Sequence, residues 1–316
     1  MSLNCVTLSG RNQSAGVLKE DDPGQPLVSV GMSVLNCADT VGASIQSIIN
    51  QSYANWELIL INDGSSDSTG EVCRSFSDSR IRYLSDGNNK GLHHRLNQAI
   101  DLSRGRYFAR MDGDDINFPR RFEIQAEYLL SHPDLDLIAT PILVIDDANQ
   151  VKGVRGHEMD HQEICAHPWR GFPLAHPTWM GKLTWFRRFL YSDTAIRVED
   201  LEILLRSYRT SRFAVIDGPL LAYRDIDLFS KRAARSRKSK SVVLVQMFLS
   251  SGNPMFLIYG LIYGLLSSDT LYRVLRSLAT PRTSRLSVPS MELLESWLAT
   301  INNIEPAIPR YIKRER

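Results

Sequence analysis

Three carboxylates, Asp112, Asp114 and Asp115, follow the apolar run in YFARMDGDDINFPRRFE, residues 107–123. Like charges this close repel each other unless something neutralises them. Two carboxylates at positions i and i+2 after a strand can reach one divalent cation, and Mg²⁺ or Mn²⁺ completes its shell with water and substrate phosphate. Asp112 and Asp114 are therefore predicted to hold a cation and a diphosphate. Gly113 is predicted to keep the backbone open to a bulky ligand.

A second acidic strand end lies upstream, where Asp63 closes the apolar run WELILIND, residues 56–63. In open parallel sheets, ligands bind outside the carboxyl ends of the strands. Taken alone, an Asp-x-Asp triplet is equally typical of an ordinary turn, because Asp and Gly are common turn residues. The two acidic strand ends together favour a ligand site.

The elements that would position these carboxylates alternate along the chain. Strand-like runs occur at 27–35, 56–63, 81–85, 106–112 and 135–145. Helical patterns separate them at 38–52, 66–76, 90–103 and 118–133. This order predicts an α/β fold with an open, mostly parallel sheet flanked by helices on both faces. Further on, we expect an irregular, antiparallel segment at 157–182, a helix at 198–210 and a strand pair at 212–224.

Composition narrows the class of protein. The 316 residues carry 37 Lys and Arg against 35 Asp and Glu, so the net charge of +2 does not indicate a nucleic-acid partner. The four cysteines form no CxxC pair, which favours a reducing compartment. The polar N-terminus does not resemble a signal peptide. We expect a cytoplasmic protein, with the inner face of the plasma membrane as a place where it could lie peripherally.

Three regions are predicted: a flexible leader at 1–25, the main domain at 26–228 and a basic, apolar helical extension at 229–316. The extension opens with KRAARSRKSK, residues 231–240, which holds six basic residues and no acidic one. Apolar, aromatic-bearing stretches follow. Two interpretations stay open: peripheral contact with anionic lipid through residues 231–266, or a helical layer packed on the core beside a solvated charged loop.

Five segments follow one another along the chain: VSVGMSVLNCADTVGASIQSIINQSYANWELILINDGSSDSTGEV, NKGLHHRLNQAI, YFARMDGDDINFPRRFEIQAEYL, HPTWM and VEDLEILLRSY. In this order they resemble the family-2 inverting glycosyltransferases of GT-A fold, the nucleotide-diphospho-sugar transferase architecture. The resemblance covers residues 27–225. It implies transfer of a hexose, from UDP-hexose or another nucleotide sugar, to a glycan or lipid-linked acceptor in polysaccharide biosynthesis, with Mn²⁺ or Mg²⁺ as cofactor.

The resemblance also implies roles for single residues. The nucleotide pocket would be lined after the first strand by Leu35, Asn36 and Asp39, and Asp63 would bind the uracil or ribose side. The donor diphosphate and metal would lie at Asp112 and Asp114, with Arg110 near the donor, and with Asp115 capping the next turn or touching the sugar. The Glu-Asp pair of the family matches Glu199 and Asp200, of which Asp200 is the expected general base.

Inverting transfer requires one carboxylate near the acceptor hydroxyl to take its proton. No proton donor is needed as well, because a cation can offset the charge of the departing nucleoside diphosphate. One departure from the family pattern follows LLAYR, residues 220–224, where members often carry a His. This chain would do without that His or use Asp225 or Asp227.

Rival classes fit less well. The loop GSSDSTG lacks the Gly-Lys-Ser/Thr end of a P-loop. The stretch SVLNCADTV is not the Gly-rich basic loop of a nucleotidyltransferase, and DGDDI does not match a haloacid-dehalogenase phosphatase. The alternative that stays open is a catalytically silent subunit that only binds a nucleotide sugar or glycan on the same fold.

Overall fold

The computed structural model describes residues 24–224, 231–268 and 286–304. The leader expected at 1–25 lies almost entirely outside the described residues, as do Asp225 and Asp227. The strands are β1 (Val28–Val34), β2 (Trp56–Asn62), β3 (Ile81–Ser85), β4 (Tyr107–Asp112), β5 (Ile116–Asn117), β6 (Leu137–Ala139), β7 (Ile142–Ile145), β8 (Val151–Arg155), β9 (Met180–Lys182), β10 (Phe213–Val215) and β11 (Leu221–Arg224).

The helices alternate with these strands and then continue into the C-terminal region. They are α1 (Ala38–Ile49), α2 (Thr69–Arg74), α3 (Leu92–Leu102), α4 (Arg121–Ser131), α5 (His161–Cys165), α6 (Leu183–Arg188), α7 (Glu199–Ser207), α8 (Lys231–Ser251), α9 (Pro254–Leu265) and α10 (Met291–Ile304). The predicted helices are thus present, each a few residues shorter than its sequence pattern.

The central sheet has the strand order β10-β6-β9-β4-β1-β2-β3. Its strands run parallel except β9, which is antiparallel to both β4 and β6. Strand β2 is buried along its whole length, as expected for a strand covered on both faces, and this explains its largely apolar sequence. One face packs on α1 and α4 through Ile45 and Phe122, and the other packs on α3 and α6 through Leu96 and Phe186.

Close packing on the second of these faces depends on Gly31 in β1. A Cβ atom at this position would lie 2.3 Å from Cζ of Phe108 and 3.2 Å from Cβ of Ala99. The absent side chain therefore lets α3 approach the sheet beside the aromatic ring of Phe108.

A second, smaller sheet has the order β5-β11-β7-β8. It takes one strand from each of two segments that were predicted differently, 135–145 and 212–224. The prediction of one strand at 135–145 is wrong, because this segment forms β6 in the central sheet and β7 in the small sheet. The break falls at Pro141, which has no N–H for the ladder. The strand pair predicted at 212–224 is also wrong as a pair, because β10 joins β6 and β11 joins β5 and β7.

The described C-terminal helices pack on the rest of the protein. Helices α8 and α9 cover α7 through Val243, Leu244 and Phe256. Helix α10 covers the small sheet, where the rings of Trp297 and Phe118 lie 6.0 Å apart. Among the described residues, no helix combines the length and the apolar character that a bilayer-spanning segment needs.

Candidate active site

The carboxyl ends of β4, β1 and β2 lie side by side and carry the acidic groups. In the parallel register, Asp112 of β4 lies opposite Ser33 of β1, and Val34 of β1 lies opposite Asn62 of β2. The backbone N–H of Asp63 donates to the carbonyl of Val34 at 2.9 Å. The edge predicted to bind a ligand is therefore one continuous surface, as expected for an open parallel sheet.

Asp112, Asp114 and Asp115 form a compact group at this edge, with one ligand oxygen from each lying within 4.8 Å of the others. The turn that carries them is held by neighbouring elements. Thr40 of α1 donates to the carbonyl of Gly113 at 3.0 Å, and Ser44 of α1 donates to the carbonyl of Asp115 at 2.7 Å. The position of the group is thus fixed by two side-chain hydroxyls of α1.

The group carries more negative charge than its surroundings neutralise. Burial, then the charge of Asp112, raises the pKa of Asp114 to about 6. Burial also raises the pKa of Asp115 well above its usual value, with Asp112 and Asp114 adding to the effect. Oδ1 of Asp115 accepts from the backbone N–H of Arg224 at 3.1 Å, but buried Oδ2 has no hydrogen-bond partner among the described residues.

This donor set fits a divalent cation. Hard carboxylate oxygens are what Mg²⁺ and Mn²⁺ prefer, and a cation would satisfy the open oxygen of Asp115 and offset the repulsion within the group. The sequence expected only Asp112 and Asp114 as ligands. Asp115, expected to cap a turn or touch the sugar, lies close enough to be a third.

Gly113 lies against protein on one side. A Cβ atom there would be 2.8 Å from Cγ1 of Val34 and 3.0 Å from Sγ of Cys37. The glycine is therefore needed for the close approach of the turn to β1 and α1. Its predicted role in admitting a bulky ligand stays a prediction.

Arg110, two residues before Asp112 in the chain, forms an ion pair with that aspartate. Its side chain is only 4% exposed, and its Nε and Nη1 atoms have no hydrogen-bond partner within the described ranges. Below it, Arg121 donates to the carbonyl of Arg110 at 2.9 Å and to the side chain of Asn117 at 2.6 Å. Arg110 is thus a buried cation, held from beneath, beside the acidic group.

The residues expected to line a nucleotide pocket lie one strand further along. Leu35 and Asn36 follow β1 and are exposed, and Asp39 is exposed in the first turn of α1. The side chain of Asn36, which has a φ of 49°, accepts from the backbone N–H of Ser66 at 2.8 Å. The loops after β1 and β2 are therefore joined, which gives this part of the edge a defined shape.

Asp63 is buried, and its carboxylate is bound by the chain itself. Oδ1 accepts from Nε of Arg95 at 2.7 Å and from the backbone N–H of Lys90 at 2.8 Å, while Oδ2 accepts from the backbone N–H of Gly91 at 3.0 Å. Arg95 also pairs with Asp86 at 2.6 Å. Asp63 thus anchors the loop at 86–91 over the end of β2; direct contact with a uracil or ribose stays a prediction.

The expected general base stands at the start of α7. Glu199 is buried, and its Oε1 accepts from the backbone N–H of Arg197 at 2.9 Å, which uses this carboxylate to close the preceding loop. Asp200 is half-buried. Burial raises the pKa of Asp200, while the positive charges of Arg110 and Lys240 oppose the shift. The carboxylate of Glu199 is thus bound to the backbone of the preceding loop, whereas the carboxylate of Asp200 accepts from the N–H of the adjacent Leu201.

Tyr191 is a buried residue beside the candidate site that the sequence did not single out. Its hydroxyl lies 2.8 Å from Nε2 of His176. Burial raises the pKa of this phenol; Arg110 opposes the shift, and the negative charges of Asp200 and Asp112 add to it. The phenol of Tyr191 is therefore influenced by the charges of both the predicted base, Asp200, and a predicted metal ligand, Asp112.

Arg224 is a second residue that sequence reasoning missed. Its guanidinium donates to the carbonyl of Asp114 at 3.1 Å and to the carbonyl of Asp146 at 2.6 Å. The sequence signal for this contact is weak, because Arg224 stands 110 residues from Asp114 in the chain. Its position in the Tyr-Arg pair of the LLAYR segment, which belongs to the resemblance, is the one local indication.

Comparisons with known proteins identify the family. The sequence profile described as glycosyl transferase family 2 matches residues 29–193. EpsE of Bacillus subtilis, which is named as a glycosyltransferase, is 33% identical over 233 residues, covering 70% of this chain and 81% of EpsE. This chain belongs to glycosyl transferase family 2, which confirms the resemblance seen in the sequence.

A shorter match names a reaction. WfgD of Escherichia coli, a UDP-Glc:alpha-D-GlcNAc-diphosphoundecaprenol beta-1,3-glucosyltransferase, is 41% identical over 106 residues, covering 34% of this chain and 42% of WfgD.

Solved structures share the fold. TarS residues 1–349 of S. aureus in complex with UDP-GlcNAc superpose with a TM-score of 0.59 at 13% identity, covering 90% of this chain and 82% of that one. The mannosyltransferase PcManGT of Pyrobaculum calidifontis, in complex with GDP-Man and Mn²⁺, gives 0.56 at 14% identity, covering 91% and 90%. The predicted GT-A architecture, a mostly parallel sheet flanked by helices, is confirmed.

Proposed function

We propose that this protein is a metal-dependent, inverting hexosyltransferase that uses a nucleoside diphosphate sugar, most simply UDP-hexose, as donor. The observation that carries the proposal is the group of Asp112, Asp114 and Asp115, whose ligand oxygens lie within 4.8 Å of one another at the carboxyl end of β4. The UDP-glucose donor in the name of WfgD and the UDP-GlcNAc bound to TarS support the choice of donor.

The donor diphosphate is assigned to the acidic group. A divalent cation, Mn²⁺ or Mg²⁺, held by Asp112 and Asp114 would supply electrostatic stabilisation to the diphosphate leaving group. Arg110 holds Asp112 in place through its ion pair and adds a fixed positive charge to a site of low exposure. The turn cannot drift, because α1 binds the carbonyls of Gly113 and Asp115.

The nucleoside is assigned to the loops that follow β1 and β2. Leu35 offers an exposed apolar side chain, 43% accessible, and Asn36 and Asp39 offer polar groups next to it. Asp63 acts on this pocket by fixing the loop at 86–91 through Arg95, Lys90 and Gly91. The buried carboxylate of Asp63 would therefore shape the wall of the pocket against which the nucleobase lies.

Asp200 is assigned as the general base. It takes the proton of the acceptor hydroxyl as the oxygen attacks the anomeric carbon, and the bond to the diphosphate breaks on the opposite face, which inverts the configuration. Its raised pKa suits this task, because a carboxylate with greater proton affinity is a stronger base. Glu199 keeps the base in position by closing the loop at Arg197.

The acceptor is proposed to be a glycan or lipid-linked saccharide of a polysaccharide pathway. The lipid-linked acceptor in the name of WfgD supports this class. The basic face of α8, which adjoins α7, would suit an acceptor that carries phosphate.

A panel of nucleotide sugars tests the proposal. The purified chain is incubated with each donor, Mn²⁺ and candidate acceptors, and release of nucleoside diphosphate is measured. We expect turnover with a UDP-hexose, its loss in EDTA, and loss of turnover in Asp114→Asn. Donor binding without turnover in every combination would instead support a silent nucleotide-sugar-binding subunit, and no binding of any donor would contradict both.

A further inference from the structure

The helical hairpin of α8 and α9 turns one face to the protein and the opposite face to solvent. On the inner face, Phe256, Val243 and Leu244 pack on Val198 and Leu201 around α7. The hairpin is joined tightly, because Ser241 of α8 donates to the carbonyl of Gly260 in α9 at 2.7 Å. The inner face accounts for only part of the apolar side chains that these helices carry.

The outer face is apolar over much of its length. On α9, four large aliphatic side chains remain exposed: Ile258 at 47%, Leu261 at 58%, Ile262 at 41% and Leu265 at 64%. On α8, Val242 at 51% and Leu249 at 76% are exposed. Soluble monomers seldom leave so many aliphatic side chains uncovered on two adjacent helices, and such a patch marks an interaction surface.

Positive charge continues the same stripe of α8. Arg235, Lys238, Val242 and Leu249 are exposed and follow one another at intervals of three, four and seven residues, which places them along one side of a helix. Across residues 231–268 the sequence has six basic residues and no acidic one. Of these, Arg235 and Lys238 are exposed on the outer face with the aliphatic side chains, and neither α8 nor α9 carries a carboxylate.

We propose that the outer face of α8–α9 docks on an anionic lipid surface. An aliphatic patch alone would suit a second protein copy, and a cationic patch alone would suit any polyanion. Both together, on a helix pair that lies along the surface of the domain, match the interfacial zone of a bilayer, where aliphatic side chains enter the acyl boundary and cations meet the headgroups.

The docking surface is connected to the candidate base. Ser236 of α8 donates to the carbonyl of Arg197 at 3.1 Å, and Arg197 lies two residues before Glu199. Lys240 donates to the carbonyl of Arg170 at 2.8 Å. If the proposed function holds, a docked hairpin keeps the base beside the membrane, where an acceptor with a lipid anchor and a diphosphate would be found.

Vesicle flotation tests the docking proposal without any measurement of sugar transfer. The full chain is floated with vesicles of phosphatidylcholine alone and of phosphatidylcholine mixed with phosphatidylglycerol. We expect flotation with the anionic vesicles, weakened by high salt, and little with the neutral ones. Replacing two cations, Arg235→Gln with Lys238→Gln, should weaken partition into anionic vesicles by about 30-fold.

Aliphatic variants complete the test. Leu261→Ser with Leu265→Ser should weaken partition by about 30-fold or more, because each substitution removes the favourable transfer free energy of one leucine side chain. Leu298→Ser on α10 is the matched control, because Leu298 is also 58% exposed but lies outside the hairpin. This control should float like the unmodified chain, and circular dichroism checks that each variant is folded.

Three results would overturn the proposal. The first is no flotation of the unmodified chain with anionic vesicles. The second is equal flotation of the hairpin variants and the Leu298→Ser control. The third is a dimer in sedimentation that Leu261→Ser with Leu265→Ser dissociates, without vesicle binding, which would assign the face to a second copy. Because no sugar is involved, each of these is distinct from a failure of the proposed reaction.

Discussion

Replacing Asp200 by asparagine separates catalysis from binding. The substitution keeps the shape of the side chain and an oxygen that can accept from the N–H of Leu201, but it removes the proton-accepting charge. General-base catalysis is worth ~10²–10⁴-fold. Because burial raises the pKa of Asp200, its proton affinity exceeds that of an ordinary aspartate, so we expect a loss of kcat of about 10³–10⁴-fold, or roughly 4–5 kcal/mol.

Stability should not explain this loss. A carboxyl group whose pKa is raised by folding costs stability as the pH rises above its unfolded pKa, so at neutral pH a neutral asparagine relieves that cost. We expect Asp200→Asn to unfold at the same temperature as the unmodified chain or at a higher one. Its affinity for the nucleotide sugar, measured by calorimetry, should be unchanged.

The assay is release of nucleoside diphosphate in the presence of acceptor, with Glu199→Gln as matched control. Glu199→Gln removes one charge from the same turn and keeps an oxygen for the N–H of Arg197, so it should retain most of the turnover. If Asp200→Asn kept more than a tenth of the turnover, or if Glu199→Gln lost as much as Asp200→Asn, the assignment of the base would be refuted.

Three further predictions concern pH and folding. The acidic limb of the pH profile of kcat/KM should have its midpoint above that of an ordinary aspartate, because Asp200 must be unprotonated and its pKa is raised; a midpoint at or below the ordinary value contradicts this. Gly31→Ala should destabilise the fold by about 1–3 kcal/mol in urea unfolding, since its Cβ would meet the Phe108 ring; an unchanged midpoint contradicts it. Arg95→Met should cost about 3–5 kcal/mol in the same assay by leaving Asp63 buried and unpaired; a cost below about 1 kcal/mol contradicts it.

The first half of the fold was predictable because each of its elements has a recognisable local sequence pattern. Strands buried on both faces read as unbroken apolar runs, and the helices between them repeat at helical spacing. The division of 135–145 between two sheets could not be read in this way, although Pro141 marks it. Both halves of that segment are apolar, and the sheet that each joins depends on partners such as β9 and β11, far along the chain.

The candidate site shows the same division. Asp112, Asp114 and Asp63 were found because each stands at a strand end with a local signature. The contacts that give them their properties are long-range: Arg95 lies 32 residues from Asp63, and Arg224 lies 109 residues from Asp115. A sequence pattern holds no record of such pairings, so the neutralisation of Asp63 and the open oxygen of Asp115 appear only in three dimensions.

Calorimetric titration with UDP tests the central claim most directly, namely that the acidic group at the end of β4 holds a cation and a diphosphate. The unmodified chain and Asp114→Asn are each titrated with UDP in Mn²⁺ and in EDTA. We predict tight binding to the unmodified chain in Mn²⁺, a large loss in EDTA, and a similar loss for Asp114→Asn in Mn²⁺. Equal affinity of the unmodified chain for UDP with and without the cation would contradict the account.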